Sequence, residues 1–104
     1  TSVGTKLKIE GEAIYTASKA AVENLTQVLS REYAEFGITV NAIGPTPAKT
    51  DLIRNVAKEK IDNINMRLSI PRLTKNKDIS NVVDFFIKDK SDFITGQFIY
   101  LGGA

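Results

Sequence analysis

The amino-acid sequence predicts an α/β fold in which a long helix leads into a buried parallel strand. Apolar side chains recur every three or four residues between positions 14 and 36, which is typical of one face of a helix. A short, β-branched apolar run at residues 38–43 indicates a buried strand. A second apolar run at residues 98–101 follows a further helical stretch, and strand–helix–strand order favours parallel pairing.

The first part of the chain is predicted to be a loop followed by this helix. Residues 1–13 are polar and contain two glycines, so we interpret them as a loop that leaves an earlier strand. Gly37 is the natural C-cap of the helix over residues 14–36. Small alanines early in the helix favour close packing against a sheet or a partner helix. Its apolar stripe consists of Ala17, Ala21, Leu25, Val28, Leu29, Tyr33 and Phe36.

A proline-rich turn ends the first strand. The two prolines of residues 44–47 are separated by one residue, which enforces an extended and rigid path. Thr50 or Asp51 is then expected to cap a helix that runs to about Glu59. Residues 61–70 carry spaced apolar side chains and predict a second short helix or a lid.

The last part of the chain is predicted to form a helix and a strand. Asp78 is expected to open the helix, and residues 98–101 form the strand, between Gly96 and the Gly102-Gly103 turn. Two parallel strands do not make a stable sheet alone, so we expect further strands from elsewhere. The apolar stripe of the helix consists of Ile79, Val82, Val83 and Phe86.

Composition excludes several functional classes. The 104 residues are 42% apolar and 25% charged, with a net charge of +2, as in ordinary globular domains. Basic residues occur as scattered pairs, so nucleic-acid binding is not expected. No apolar run reaches the length of a membrane span, and cytoplasmic is the default location. The lysine pairs are Lys6/Lys8, Lys58/Lys60, Lys75/Lys77 and Lys88/Lys90.

The chain contains neither cysteine nor histidine. Disulfides, thiolate nucleophiles, a Ser-His-Asp triad and the commonest metal ligands are therefore excluded within these residues. The aspartates at 84, 89 and 92 lack metal-loop spacing, and no metal is expected. Acid–base chemistry must use tyrosine, lysine, aspartate or glutamate.

Tyr15 and Lys19 are the strongest candidates for such chemistry. Residues four apart on a helix lie on one face, with Cβ atoms about 5–6 Å apart. A lysine ammonium near a phenol favours the ionised tyrosinate, which prepares the phenol to transfer protons. The pair alone is weak evidence, because a tyrosine and a lysine at this spacing also occur by chance on exposed helices.

The surroundings of this pair resemble the active-site helix of the short-chain dehydrogenase/reductase family. The resemblance lies in the run YTASKAAV at residues 15–22 and in Ser2, thirteen positions before Tyr15. The later motifs also match in order. They are NAIGP at 41–45 with Thr50-Asp51, Arg72-Leu73 with Asp78-Ile79, DFITGQ at 92–97, and LGG at 101–103.

The resemblance implies a fold and a reaction. The fold is the C-terminal part of a doubly wound, Rossmann-like parallel sheet in helix–strand–helices–strand order, incomplete on its own. The reaction is reversible hydride transfer between NAD or NADP and a small-molecule carbonyl or alcohol, of the 3-oxoacyl reductase kind. Because apolar surface would be left uncovered, a homo-oligomer is also expected.

The resemblance also implies residue roles. Tyr15 would be the general acid/base, Lys19 would assist Tyr15 and hydrogen-bond the nicotinamide ribose, and Ser2 would donate to the substrate oxygen. Thr50 and the backbone near Pro45 and Ala48 would hold the nicotinamide carboxamide. Thr50 is equally suited to a simple N-cap role, and the less favoured alternative for Ser2 is a frayed loop residue.

Two departures from the family pattern limit this expectation. The family usually has glycine after the proline at 45, whereas this chain has Thr46, so the loop path stays open. No glycine-rich phosphate loop occurs, so we expect the nucleotide-binding half to be absent and residues 1–104 alone to be inactive. The alternatives are a truncated, non-catalytic piece that folds by self-association, and a small helical binding module.

Overall fold

A computed structural model describes residues 1–48 and 56–104. Helices alternate with two short strands, and a 3₁₀ turn follows each of the two longest helices, at Ala34–Phe36 and Asp89–Ser91. In chain order the elements are α1 (Gly4–Leu7), α2 (Ala13–Glu32), β1 (Ala42–Gly44), α3 (Lys58–Met66), α4 (Asn76–Ile87) and β2 (Phe98–Tyr100).

The strands β1 and β2 pair in parallel, with Gly44 opposite Tyr100, which confirms the predicted parallel sheet. β1 is shorter than the predicted strand at 38–43, because Val40 is hydrogen-bonded to the loop before β2 instead of to a strand. The Gly96 N–H of this loop donates to the Val40 carbonyl at 2.7 Å. The Val40 N–H in turn donates to Thr95 Oγ1 at 3.0 Å.

The first residues of the chain run along the other edge of β1. The Thr1 backbone nitrogen donates to the Ile43 carbonyl, and the Val3 N–H to the Pro45 carbonyl, each at 3.2 Å. Bonds repeating every second residue are typical of a parallel ladder. Pro45 has no N–H to return a bond, so the pairing runs in one direction. Ser2 is thereby held at the carboxyl end of the sheet.

Helix α2 confirms the predicted long helix, but its apolar stripe does not face the described chain. The C-terminal part is tightened into the 3₁₀ turn, and Gly37 ends it in the left-handed region, with φ of 71°. Leu25 is 53% exposed and Phe36 67% exposed. The buried residues of α2 are instead Thr26 and Ser30.

The hydroxyl groups of these two residues donate hydrogen bonds within the helix itself. Thr26 Oγ1 donates to the Val22 carbonyl at 2.8 Å, and Ser30 Oγ to the Gln27 carbonyl at 2.7 Å. Hydroxyls that are hydrogen-bonded within the helix lose little free energy on burial. The buried residues of α2 are therefore polar and small, and its exposed outer face includes the large apolar side chains Leu25 and Val28.

Three sequence expectations need correction or fall outside the described residues. The predicted loop at 1–13 contains the short helix α1. A helix was expected to run from the Thr50–Asp51 cap to about Glu59, but residues 56–57 are not helical and α3 begins only at Lys58. Its proposed caps, Thr50 and Asp51, lie outside the described residues. The predicted helix or lid at 61–70 coincides with α3 only as far as Met66.

Helix α4 begins two residues before the predicted start. Asp78 lies in its first turn, where its Oδ2 accepts the Lys75 N–H at 2.8 Å and so caps the helix. The Arg72 guanidinium holds the same carboxylate through two bonds, at 2.7 and 3.0 Å. The hydrogen bonds from Arg72 and from the Lys75 backbone hold the pKa of Asp78 far below its ordinary value.

Replacement of Asp78 by asparagine is expected to lower the free energy of unfolding at neutral pH. The pKa of Asp78 in the folded state lies below its ordinary value of 3.8. The ionised carboxylate therefore contributes fully to the free energy of unfolding above pH 3.8, and this contribution is lost as the pH falls through the folded-state pKa. The difference between wild type and Asp78→Asn should therefore narrow on acidification, as measured by urea denaturation across this range. Asp84→Asn, on the same helix, is the control. A gap that widens in acid would contradict the assignment.

Candidate active site

Ser2 lies in the turn between the β1 edge and α1. Its Oγ accepts the Gly4 N–H at 3.1 Å, which leaves the hydroxyl proton available to another acceptor. A Cβ placed on Gly4 would lie 3.4 Å from Ser2 Oγ and 3.4 Å from Thr16 Cγ2. Gly4 thus lies between the serine and the first turn of α2, where Tyr15 lies, at ordinary contact distance from both.

Tyr15 and Lys19 lie together on the first two turns of α2. Lys19 Nζ is 5.5 Å from the centroid of the Tyr15 ring. Tyr15 is 46% exposed, and Lys19 is half-buried. Within residues 1–48 and 56–104, neither the phenol oxygen nor the ammonium has a hydrogen-bond partner. Both polar groups are therefore available to a molecule bound at this end of the helix.

The loop after β1 follows a path that the sequence left open. Thr46 is buried, and its N–H donates to Thr74 Oγ1 at 3.0 Å. The Thr74 N–H donates to the Pro47 carbonyl at 2.9 Å, and Ala48 forms an isolated parallel bridge with Thr74. Pro45 contacts the Ser2 turn through Val3, and Ala48 is held at Thr74. Thr50 lies outside the described residues.

Helix α3 is tied to the segment that precedes Tyr15. Lys60 forms an ion pair with Glu12, and Arg67 reaches both Glu10, at 3.4 Å, and the Leu7 carbonyl. Exposed ion pairs of this kind add about 0–1 kcal/mol to stability. Their consequence is positional: α3 lies beside the approach to α2, a contact that the sequence analysis missed.

The sequence analysis also missed Glu23, which lies four residues after Lys19 on the same helix. Its Oε1 accepts hydrogen bonds from Thr1 Oγ1 at 2.6 Å, from Thr5 Oγ1 at 2.7 Å and from the Tyr100 hydroxyl. Burial alone would raise the pKa of Glu23, but these hydroxyl donors outweigh it and hold the pKa below its ordinary value. The spacing 15, 19, 23 was the only sequence signal, since the donors are distant in the chain.

Comparisons with known proteins cover nearly the whole of this chain. Residues 1–103 match the sequence profile of the family described as enoyl-(acyl carrier protein) reductase. Over 104 residues the chain is 36% identical to a 3-oxoacyl-[acyl-carrier-protein] reductase FabG of Staphylococcus epidermidis, covering all of this chain and 43% of that protein. A Staphylococcus aureus diacetyl reductase [(S)-acetoin forming] is 33% identical, over 90% of this chain and 41% of its own length.

A solved structure gives the same result for the fold. An actinorhodin polyketide ketoreductase with NADPH superposes with a TM-score of 0.81 and 30% identity, over 99% of this chain and 44% of that chain. The chain therefore spans less than half the length of the relatives that it matches. No helix among the described residues is long and apolar enough to cross a membrane. The profile match and the shared fold show that the chain belongs to the short-chain dehydrogenase/reductase family, whose C-terminal part it matches.

Proposed function

We propose that the complete gene product containing residues 1–104 reduces a carbonyl group to an alcohol, reversibly, with NADH or NADPH. The observation that carries this proposal is the grouping at the start of α2. A half-exposed phenol and an ammonium lie 5.5 Å apart, ring centroid to Nζ. The Ser2 hydroxyl, whose proton is free to donate, contacts Gly4, which lies against Thr16 in the same helical turn as Tyr15. Three donors without competing partners among the described residues suit a ligand rich in oxygen atoms.

The residues present fit the nicotinamide-ribose end of such a cofactor. The Lys19 ammonium can donate to ribose hydroxyls, and the backbone at Pro45 and Ala48 would hold the carboxamide. Thr50, expected at the same group, lies outside the described residues. No glycine-rich phosphate loop occurs in residues 1–104, so the pyrophosphate needs residues beyond this set. The chemistry that the bound nicotinamide supplies is hydride transfer.

The chain's own residues then manage the substrate oxygen. Tyr15 donates its phenol proton to that oxygen in reduction and recovers it in the reverse direction. The Lys19 ammonium stabilises the tyrosinate that remains after the proton has left. The Ser2 hydroxyl donates a hydrogen bond to the same oxygen and so stabilises the negative charge that develops there.

A carbonyl compound is the substrate class that this arrangement supports. Donors aimed at an oxygen aid reduction of C=O, where charge develops on that oxygen, more than reduction of an isolated C=C bond. The relatives include a reductase named for 3-oxoacyl groups and one named for diacetyl, and both names describe ketones. We favour a 3-oxoacyl thioester, because that name belongs to the more similar relative.

A substrate panel tests the proposal. The complete gene product is mixed with NADPH or NADH and with an acetoacetyl thioester, diacetyl or a crotonyl thioester, and oxidation of the cofactor is followed by its absorbance. We expect turnover with the acetoacetyl thioester, slower turnover with diacetyl, and the 3-hydroxy product by mass spectrometry. Reduction of the crotonyl thioester without either ketone would contradict the carbonyl assignment.

The exposed outer face of α2 supports two further proposals. We propose that residues 1–104 form the C-terminal catalytic part of one Rossmann-like domain, and that the protein is a homo-oligomer. Leu25 in α2 and Phe36 in the 3₁₀ turn that follows it are more than half exposed, which is typical of a surface that other protein covers. If the complete gene product sediments as a monomer, the proposal of a homo-oligomer is wrong.

A further inference from the structure

One carboxylate in this chain ties together the three segments that meet at the candidate site. Glu23 lies on α2, one helical turn after Lys19 and two turns after Tyr15, so it shares their face of the helix. Its hydroxyl partners come from both sides of Ser2, at Thr1 and Thr5, and from the end of β2, at Tyr100. No other side chain of the described residues accepts from three separate side chains.

The donors are themselves held firmly. Thr5 is buried, and its Oγ1 also lies 2.8 Å from the Ser2 carbonyl, so its one proton is shared between that carbonyl and Glu23. The Tyr100 ring is packed against Gly44, where a Cβ would come within 2.4 Å of the ring. Neither partner can follow Glu23 if it moves, so the bonds fix α2 against both segments.

Charge strengthens this tie. Hydroxyl bonds to an ionised carboxylate are shorter and stronger than those to a neutral acceptor. The donors keep the pKa of Glu23 below its ordinary value, against the opposing effect of burial. The pKa of Tyr100 is raised, first by burial and then by its bond to Glu23. Both shifts favour one state at neutral pH, a charged acceptor with a protonated phenol donor.

We infer that Glu23 is a positioning residue that sets the Ser2 hydroxyl against Tyr15 and Lys19. This inference rests on the proposed function. Ser2 is held by a turn and the other two by a helix, so their mutual geometry depends on contacts between turn and helix. Glu23 provides such a contact through Thr1 and Thr5 without itself reaching the substrate. A small misplacement of reacting groups lowers the rate of the chemical step while leaving cofactor binding largely intact.

The test compares Glu23→Gln with wild type in the complete gene product, with Glu32→Gln at the exposed end of α2 as the matched control. Glutamine keeps the shape but removes the charge. We expect kcat for the acetoacetyl thioester to fall about 10- to 100-fold, with NADPH affinity within about twofold by fluorescence titration. The kinetic isotope effect with NADPH deuterated at the transferred position should rise, because the chemical step becomes slower relative to product release. Glu32→Gln should match wild type.

A second variant covers the possibility that Glu23→Gln folds poorly. Thr5→Val removes one donor at constant shape, and its loss of kcat should be smaller but of the same kind. The double variant should lose less than the product of the two single losses, since both act through one bond.

The outcomes separate the inference from the function. A drop in active-site concentration, with kcat per active site and the isotope effect unchanged, would reduce Glu23 to a structural role and overturn the inference. Unchanged kcat in both variants would do the same while leaving the proposed function intact. Wild-type protein that reduces no carbonyl would overturn both.

Discussion

Replacement of Tyr15 by phenylalanine is expected to lower kcat for carbonyl reduction by about 100- to 10,000-fold, the usual contribution of a positioned acid or base. The change removes the phenol that is proposed to donate a proton to the substrate oxygen and take it back. The ring remains, so its contact with the Lys19 ammonium is kept. The measurement is steady-state cofactor oxidation with the acetoacetyl thioester, together with NADPH titration to show that binding persists.

Tyr33→Phe is the matched control for this experiment. Tyr33 is the C-cap of the same helix, at the opposite end from Tyr15, and is exposed to a similar degree. Its hydroxyl has no part in the proposed reaction, so turnover should stay at the wild-type level. Equal turnover by Tyr15→Phe and Tyr33→Phe would remove Tyr15 from the mechanism.

Replacement of Gly44 by alanine is expected to destabilise the fold by about 1–3 kcal/mol, the usual cost of overpacking a tight contact. The new Cβ would lie 2.4 and 2.9 Å from two carbons of the Tyr100 ring and 3.4 Å from the Ser2 carbonyl carbon. Because Gly44 and Tyr100 are paired across the sheet, the ring cannot withdraw without disturbing the ladder. A lower urea midpoint with an unchanged slope would report this loss.

Two further variants show whether the contact with Tyr100 is the cause. At Gly4 an added Cβ meets only ordinary contacts, the nearest at 3.4 Å, so Gly4→Ala should be far milder. Combining Gly44→Ala with Tyr100→Ala should cost less than the sum of the two single changes, since the ring that clashes is gone. Strict additivity would mean that Gly44 matters for another reason.

Local sequence patterns predicted the elements of this fold better than their faces. The long helix, the parallel pairing and the final strand followed from periodicity and from the order of elements. The pattern could not reveal that Thr26 and Ser30 would be buried while Leu25 stays exposed. That outcome depends on hydroxyls bonding within the helix and on what covers the outer face, and neither is encoded in apolar spacing.

The candidate site was predictable where it depends on spacing and not where it depends on long-range contacts. Tyr15 and Lys19 were found because four residues make one helical turn. Glu23 was not, because its partners lie 22 residues before it and 77 residues after it in the chain. The start of α4 was misplaced for a related reason: Asp78 caps the helix by reaching back to the Lys75 N–H, so it lies inside the helix rather than before it.

Because Pro45 has no N–H, the backbone on the two sides of the candidate site is held in different ways. Tyr15 and Lys19 lie in the first two turns of a helix of 20 residues, whose backbone bonds run from each turn to the next. Ser2 is carried by a segment that gives bonds to the β1 edge, while Pro45 can give none back. The backbone of Tyr15 and Lys19 is therefore held by bonds within a helix, whereas that of Ser2 is held at a strand edge by bonds given in one direction only.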